Sequence, residues 1–132
     1  MENIYSETLI NFLTIINKIK IYHWQTLSHP RHKATDQLYS ELSDLIDKFI
    51  EILMGRLIIE KNNQNFRILI NNYDIKLQDI NDNKGYKLIY EIKLYLESKQ
   101  LNEVIGKNTE LANIKDEMLA SVNRVSYLFS LN

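Results

Sequence analysis

The chain contains no cysteine. That excludes disulfides, thiolate metal sites and a cysteine nucleophile. It has one proline, Pro30, and only three glycines, Gly55, Gly85 and Gly106. Backbone breakers this sparse favour long helices over a β fold with its many turns. An excess of one charge is also lacking: 16 Lys and Arg face 17 Asp and Glu, for a net charge of −1 at pH 7. No polybasic field is on hand for nucleic acid or an anionic membrane, so DNA binding is not expected. No uninterrupted apolar run approaches the ~20 residues of a membrane span. The opening stretch MENIYSETLI has neither the basic nor the apolar region of a signal peptide. These absences lead to the expectation of a cytoplasmic protein without membrane contact.

What the chain does have is apolar residues at helical spacing. Its 132 residues, 45% of them hydrophobic, suffice for one domain, 1–132, with a real core. Four helical stretches follow from periodicity. The first spans about Glu2 to Gln25, with Leu9, Leu13, Ile16 and His23 on its expected inner face. The second spans about His32 to Glu60 and carries Leu38, Leu42, Leu45, Phe49, Leu53 and Leu57. A third, about Lys84 to Ile105, carries Leu88, Ile92, Tyr95 and Leu96, and Gly106 stands where a helix ends. The fourth, about Thr109 to Leu128, follows Asn108 as N-cap and carries Leu111, Ile114, Met118, Val122, Val125 and, at its end, Phe129. Short connections at Ser28-His29-Pro30 and at Gly106-Lys107-Asn108 make two antiparallel hairpins. Between them lies a stretch rich in Asn and Ile, too apolar for a free linker and expected to hold a short helix. Two hairpins joined by one long crossover make an all-α, ferritin-like four-helix bundle the expected fold.

All three histidines, the only tryptophan and the only proline fall within HWQTLSHPRHKATD, residues 23 to 36. On the second helix His32, Asp36, Asp47 and Glu51 share one face, Asp36 and Asp47 differing by only about 20° around the axis. His23 projects from the first helix just before the turn. Two imidazoles and three carboxylates form a mixed ligand set: imidazole suits iron, zinc or copper, carboxylates suit harder ions, and such a set in a bundle core is the di-iron pattern, with zinc expected to compete. Along the axis, however, Asp36 and Asp47 stand ~16 Å apart, whereas the ions of a two-metal centre lie ~4 Å apart. One straight helix cannot bring both acids to one centre. Two copies packed antiparallel near Leu42 and Ser43 can, because Asp36 of one then meets Asp47 and Glu51 of the other, making two equivalent sites per dimer.

His23-Trp24, then His32-x3-Asp36, then Asp47-x3-Glu51, over roughly residues 10 to 56, resembles the ferroxidase signature of Dps-type mini-ferritins. The resemblance implies that His23, His32 and Asp36 of one subunit act with Asp47 and Glu51 of its two-fold mate as catalytic metal ligands. Glu51 would bridge the metals and Trp24 would lie beside the site. It implies a di-iron centre in a hollow homo-dodecameric shell that oxidises Fe(II) with hydrogen peroxide or dioxygen and stores the product. His29 has no place in the pattern and reads as loop surface. Trp24 and the tyrosines, taken on their residue types, read as packing. The competing expectation is a non-enzymatic helical bundle with a structural, interaction or DNA-compacting role.

Overall fold

The computed structural model describes residues 2–131, with the side chain of Glu2 excepted. Among these residues there are five helices and no strand: α1 (Glu2–Gln25), α2 (His29–Lys61), α3 (Asp82–Leu96), α4 (Lys99–Ile105) and α5 (Thr109–Phe129). Three of them start on a side-chain cap. Ser28 accepts a hydrogen bond from the Arg31 N–H at the head of α2, and Pro30 fills an early position whose missing N–H costs nothing. Ser98 and Asn108 cap α4 and α5 through the N–H groups of Leu101 and Leu111. Asn62, left-handed at φ 48°, closes α2.

Helix α2 packs against both α1 and α5, and α3 packs against α5 and α1, so the contacts close on one core. Phe12, Ile15, Ile19 and Tyr22 of α1 are buried there with Leu38, Leu42, Phe49, Leu53 and Leu57 of α2 and the whole expected stripe of α5. Phe12 meets Phe49 and Tyr95 edge to face. No helix among the described residues is long and apolar enough to cross a membrane.

Four expectations need correction. The inner stripe of α1 is Phe12, Ile15, Ile19 and Tyr22, while Leu9 and Ile16 are only half-buried and Leu13 is exposed. The helix is apolar on two sides, and periodicity alone does not say which side meets the core. The third expected helix is two, because Ser98 turns extended (φ −70°, ψ 153°) and caps a new helix, whose Leu101, Val104 and Ile105 then all reach the core. Helix α2 begins at His29, three residues earlier than expected, because Ser28 supplies the cap. Finally, residues 63–81 hold no helix. Only Ile68 and Ile80 are buried in that stretch, and side chains rather than a helical ladder fix it. Ser6 donates to the Leu69 carbonyl, and the Gln25 amide grips both Asp79 and the Ile80 N–H. Leu69, Ile70 and Leu77 remain exposed.

One polar knot ties three helix ends together. The Asp82 carboxylate, at the start of α3, accepts from the Tyr22 hydroxyl (2.7 Å), the Thr26 hydroxyl (2.5 Å) and the Leu27 N–H (3.0 Å). Arg31 of α2 donates to the Tyr22 hydroxyl and the Asp82 carbonyl, and lies over the Phe129 ring of α5 at 4.5 Å. Tyr22 fits only because residue 85 is glycine: a Cβ there would stand 2.2 Å from the Tyr22 hydroxyl. Gly85→Ala should therefore lower stability by about 1–3 kcal/mol, the usual cost of overpacking, as read in denaturant unfolding. The hydrogen bonds, that from Thr26 foremost, hold the Asp82 carboxyl below its ordinary pKa. A depressed carboxyl stabilises the fold above the ordinary aspartate range, and that stabilisation is lost as pH falls through its folded value. Asp82→Asn should thus lower Tm at pH 7, and the gap to the native chain should narrow below about pH 4, where the unfolded aspartate protonates. A constant gap at all pH values would count against an ionic role for Asp82.

Candidate metal-binding histidine pair

Tyr22 and Arg31, two members of that knot, are each followed by a histidine. The knot thereby sets where His23 at the end of α1 and His32 in the first turns of α2 come to lie. Their rings stack, centroids 3.9 Å apart and planes 17° from parallel. Each ring grips the other residue's backbone. His23 Nδ1 stands 2.8 Å from the His32 carbonyl oxygen, and His32 Nδ1 stands 2.9 Å from the His23 carbonyl oxygen. A carbonyl can only accept, so both Nδ1 atoms carry the proton. In a neutral imidazole the other nitrogen, Nε2, then keeps its lone pair and is the atom offered to a ligand.

Thr35, one helical turn beyond Arg31, completes the clamp. Its hydroxyl donates to the Arg31 carbonyl (2.8 Å) and lies 3.1 Å from His23 Nδ1, as an acceptor. Thr35 is fully buried and His23 nearly so, whereas His32 is exposed. A backbone or hydroxyl partner that orients the far side of an imidazole is the usual support behind a metal-ligating histidine. Residue types alone did not single out Thr35, Tyr22, Arg31 or Asp82. The available signal was the repeat of a hydrogen-bonding residue directly before each histidine, Tyr22-His23 and Arg31-His32, at the same nine-residue offset.

The acids stand elsewhere. Asp36 lies one turn past His32, and Asp47 and Glu51 follow along the same helix; all three are exposed. None has a hydrogen bond or ion pair among the described residues. The structure thus brings His23 and His32 together and keeps the three carboxylates apart along α2. Among the described residues no group of three or more His, Asp or Glu side chains gathers to hold a metal within one chain. His29 is at the surface, as expected, but not in a loop: it is the first residue of α2, with its ring 6.4 Å from that of His32 and nearly parallel to it. Nor is Trp24 packing within this chain; it is 69% exposed, with Lys20 5.8 Å from its ring.

The outward side of this hairpin is unusually apolar. Leu13 and Trp24 of α1 and Leu27 in the connection that follows it are exposed, the last at 95%. Beside them on α2 lie Tyr39, Ile50 and Met54, all half-buried. Ser43, at the middle of that row, has a buried hydroxyl without a hydrogen-bond partner. The clamp makes a spectroscopic forecast: long-range 1H–15N correlation of imidazole should show both His23 and His32 as Nδ1–H tautomers in neutral to mildly alkaline solution, and Thr35→Val should broaden the His23 signals. Nε2–H tautomers would contradict the geometry.

No solved structure matches this chain. An uncharacterised 14.6 kDa protein from the mobD-ri intergenic region of Enterobacteria phage T4 is 58% identical over 33 residues. That segment is 25% of this chain and 26% of that protein, so the similarity spans about a quarter of the curated relative's length. The resemblance to Dps-type mini-ferritins is overturned: the family found is a different one, of unknown function. Five ligand-type residues at helical spacing are too few to fix ancestry, since any helix presenting acids along one face repeats the same steps of three, four and eleven. The matching family model runs over residues 23–129, most of the chain, and the protein belongs to that family, the family of unknown function DUF5856.

Proposed function

We propose that two copies of this chain pair through the outward face of α1 and α2 and that the pair binds and oxidises Fe(II). The single observation that carries this reading is the clamped histidine pair, whose two Nε2 atoms are left with lone pairs at the edge of an unpaired apolar face. The helix arrangement supports it. The order of α1 and α2, the crossover of residues 62–81 and then α3 to α5 is compatible with a ferritin-like bundle, a scaffold that carries metal chemistry on facing helices.

An antiparallel pairing of α2 about Ser43 answers the problem of the scattered acids. Asp36 lies ~10 Å to one side of Ser43, and Asp47 and Glu51 lie ~6 and ~12 Å to the other. A two-fold axis through Ser43 therefore sets Asp36 of one protomer between Asp47 and Glu51 of its partner, with His32 and His23 just beyond. Pairing would also cover Trp24 and Leu27, and burying each large apolar side chain contributes about 1.5–3 kcal/mol. Imidazole with carboxylate suits Fe(II), and zinc competes for the same atoms. Each Fe(II) gives up one electron. With hydrogen peroxide as oxidant, two Fe(II), one H2O2 and two protons yield two Fe(III) and two water molecules, the O–O bond breaking as it accepts both electrons. His23, His32, Asp36, Asp47 and Glu51 hold the two ions together as substrate and set the distance between them. Larger assemblies, a dodecameric shell included, would build on this pair. The exposed apolar face taken alone also supports a second reading, a pairing surface without redox chemistry. Self-association with no iron oxidation above the buffer rate would select it.

Complementation tests the shared site. One variant loses His23→Ala and Asp36→Ala, and another loses Asp47→Ala and Glu51→Ala. Alone, neither retains a complete site. A mixed pair has one site missing both sets and one fully native site. Random co-refolding makes half the pairs mixed, so about a quarter of native sites and of the oxidation rate should return. No recovery in a mixture shown by mass spectrometry to contain mixed pairs would refute the arrangement.

A further inference from the structure

The other side of α1 meets α3 and the crossover around a cavity of about 250 Å³. Four lysines line it, Lys18 from α1, Lys76 from the crossover, and Lys84 and Lys87 from α3. Only two carboxylates share the cavity, and both are engaged. Glu91 pairs with Lys87 at 3.9 Å, and Asp79 accepts from the Gln25 amide at 2.8 Å. Among the described residues no ion pair joins Lys18, Lys76 or Lys84 to a carboxylate. In a chain of net charge −1 this is a local excess of positive charge in a concave, partly apolar setting, with Ile80 and Leu88 as floor. Such clefts concentrate anions.

We propose that this cavity binds a small polyphosphate. Three unpaired ammonium groups come from three separate elements and so converge on the ligand from different sides. Lysine acts as a point charge and not as a planar fork. That favours an anion with several charges spread along its length over a single carboxylate. The volume lies just below the ~300 Å³ at which drug-sized pockets begin, which suits a di- or triphosphate and not a folded macromolecule. The walls are held in place, because Gln25 pins the crossover at Asp79 and at the Ile80 N–H. A groove runs on from Lys18, Leu88 and Glu91 between α1 and α3, lined in part by Asn11 and Thr14. At ~100° per residue Lys18 lies on the opposite side of α1 from Leu13, Lys20 and Trp24. The cavity therefore stays open when the proposed pair forms, and its ligand is independent of the histidine site.

Tripolyphosphate is the probe, added to the full chain by calorimetry at constant ionic strength set with sodium chloride. Saturable binding of one tripolyphosphate per chain is expected. Lys76→Gln with Lys84→Gln should weaken it at least tenfold, while Lys33→Gln with Lys107→Gln, which removes two lysines outside the cavity, should leave it unchanged. All four lysines are exposed, so neither double variant disturbs the core. In the native chain, amide shifts on titration should cluster at Lys18, residues 76–80 and the first turns of α3. Absence of saturable binding, equal weakening by both double variants, or shifts spread over the surface would overturn the proposal.

Discussion

The Asp82 carboxylate is the constraint on which the histidine end of the molecule depends. It draws the last turn of α1, the connection after it and the first turn of α3 to one point, and Arg31 adds α2 and the Phe129 ring of α5. Hydrogen bonds to a charged group are each stronger than neutral ones, of order 1.5–3 kcal/mol, and three converge here. Three helix ends are thereby held at fixed spacing by a group that is only partly buried, so it keeps its charge without a large desolvation cost. His23 and His32 sit directly beside two of the residues in this knot. Their stacking reflects the spacing that the knot imposes on α1 and α2.

Much of the fold was legible in the sequence. The sparse glycine and proline announced long helices, and the apolar stripes of α5 and α2 pointed inward as their periods required, except that in α2 Ile46 is buried where Leu45 was expected. What failed has physical causes. Helix α1 has two apolar sides, Phe12-Ile15-Ile19 and Leu9-Leu13-Ile16, and hydrophobicity does not rank them. The break at Ser98 rests on a serine hydroxyl winning against one more turn of helix, a balance of about 1 kcal/mol that a periodic pattern cannot register. The crossover reads as apolar by composition, but its leucines and isoleucines lack a repeat that would bury them together.

The candidate site was half legible. The residue types and the shared face of His32, Asp36, Asp47 and Glu51 followed from helical geometry. The clamp did not, because it is built from side chains on main-chain carbonyls, and every residue has one of those. Trp24 shows the same limit in reverse. Its size argued for burial, yet it stands exposed, as does Leu27, on a face that none of the described residues covers. The family assignment rests on the length of chain from His23 to Phe129 and not on five positions, which is why a local pattern could point to one family and the whole sequence to another.

The reciprocal bonds between His23 and His32 bear on how freely this end of the protein can change. A ring anchored to a backbone oxygen takes its aim from the path of the chain. Neighbouring side chains can be exchanged one by one without turning it, provided the two helices keep their separation. A ring anchored to a carboxylate would instead be lost with that one residue. The pair is therefore insulated against drift in most of its surroundings, and its vulnerability is gathered into a few backbone-setting positions such as Gly85, which touches neither histidine.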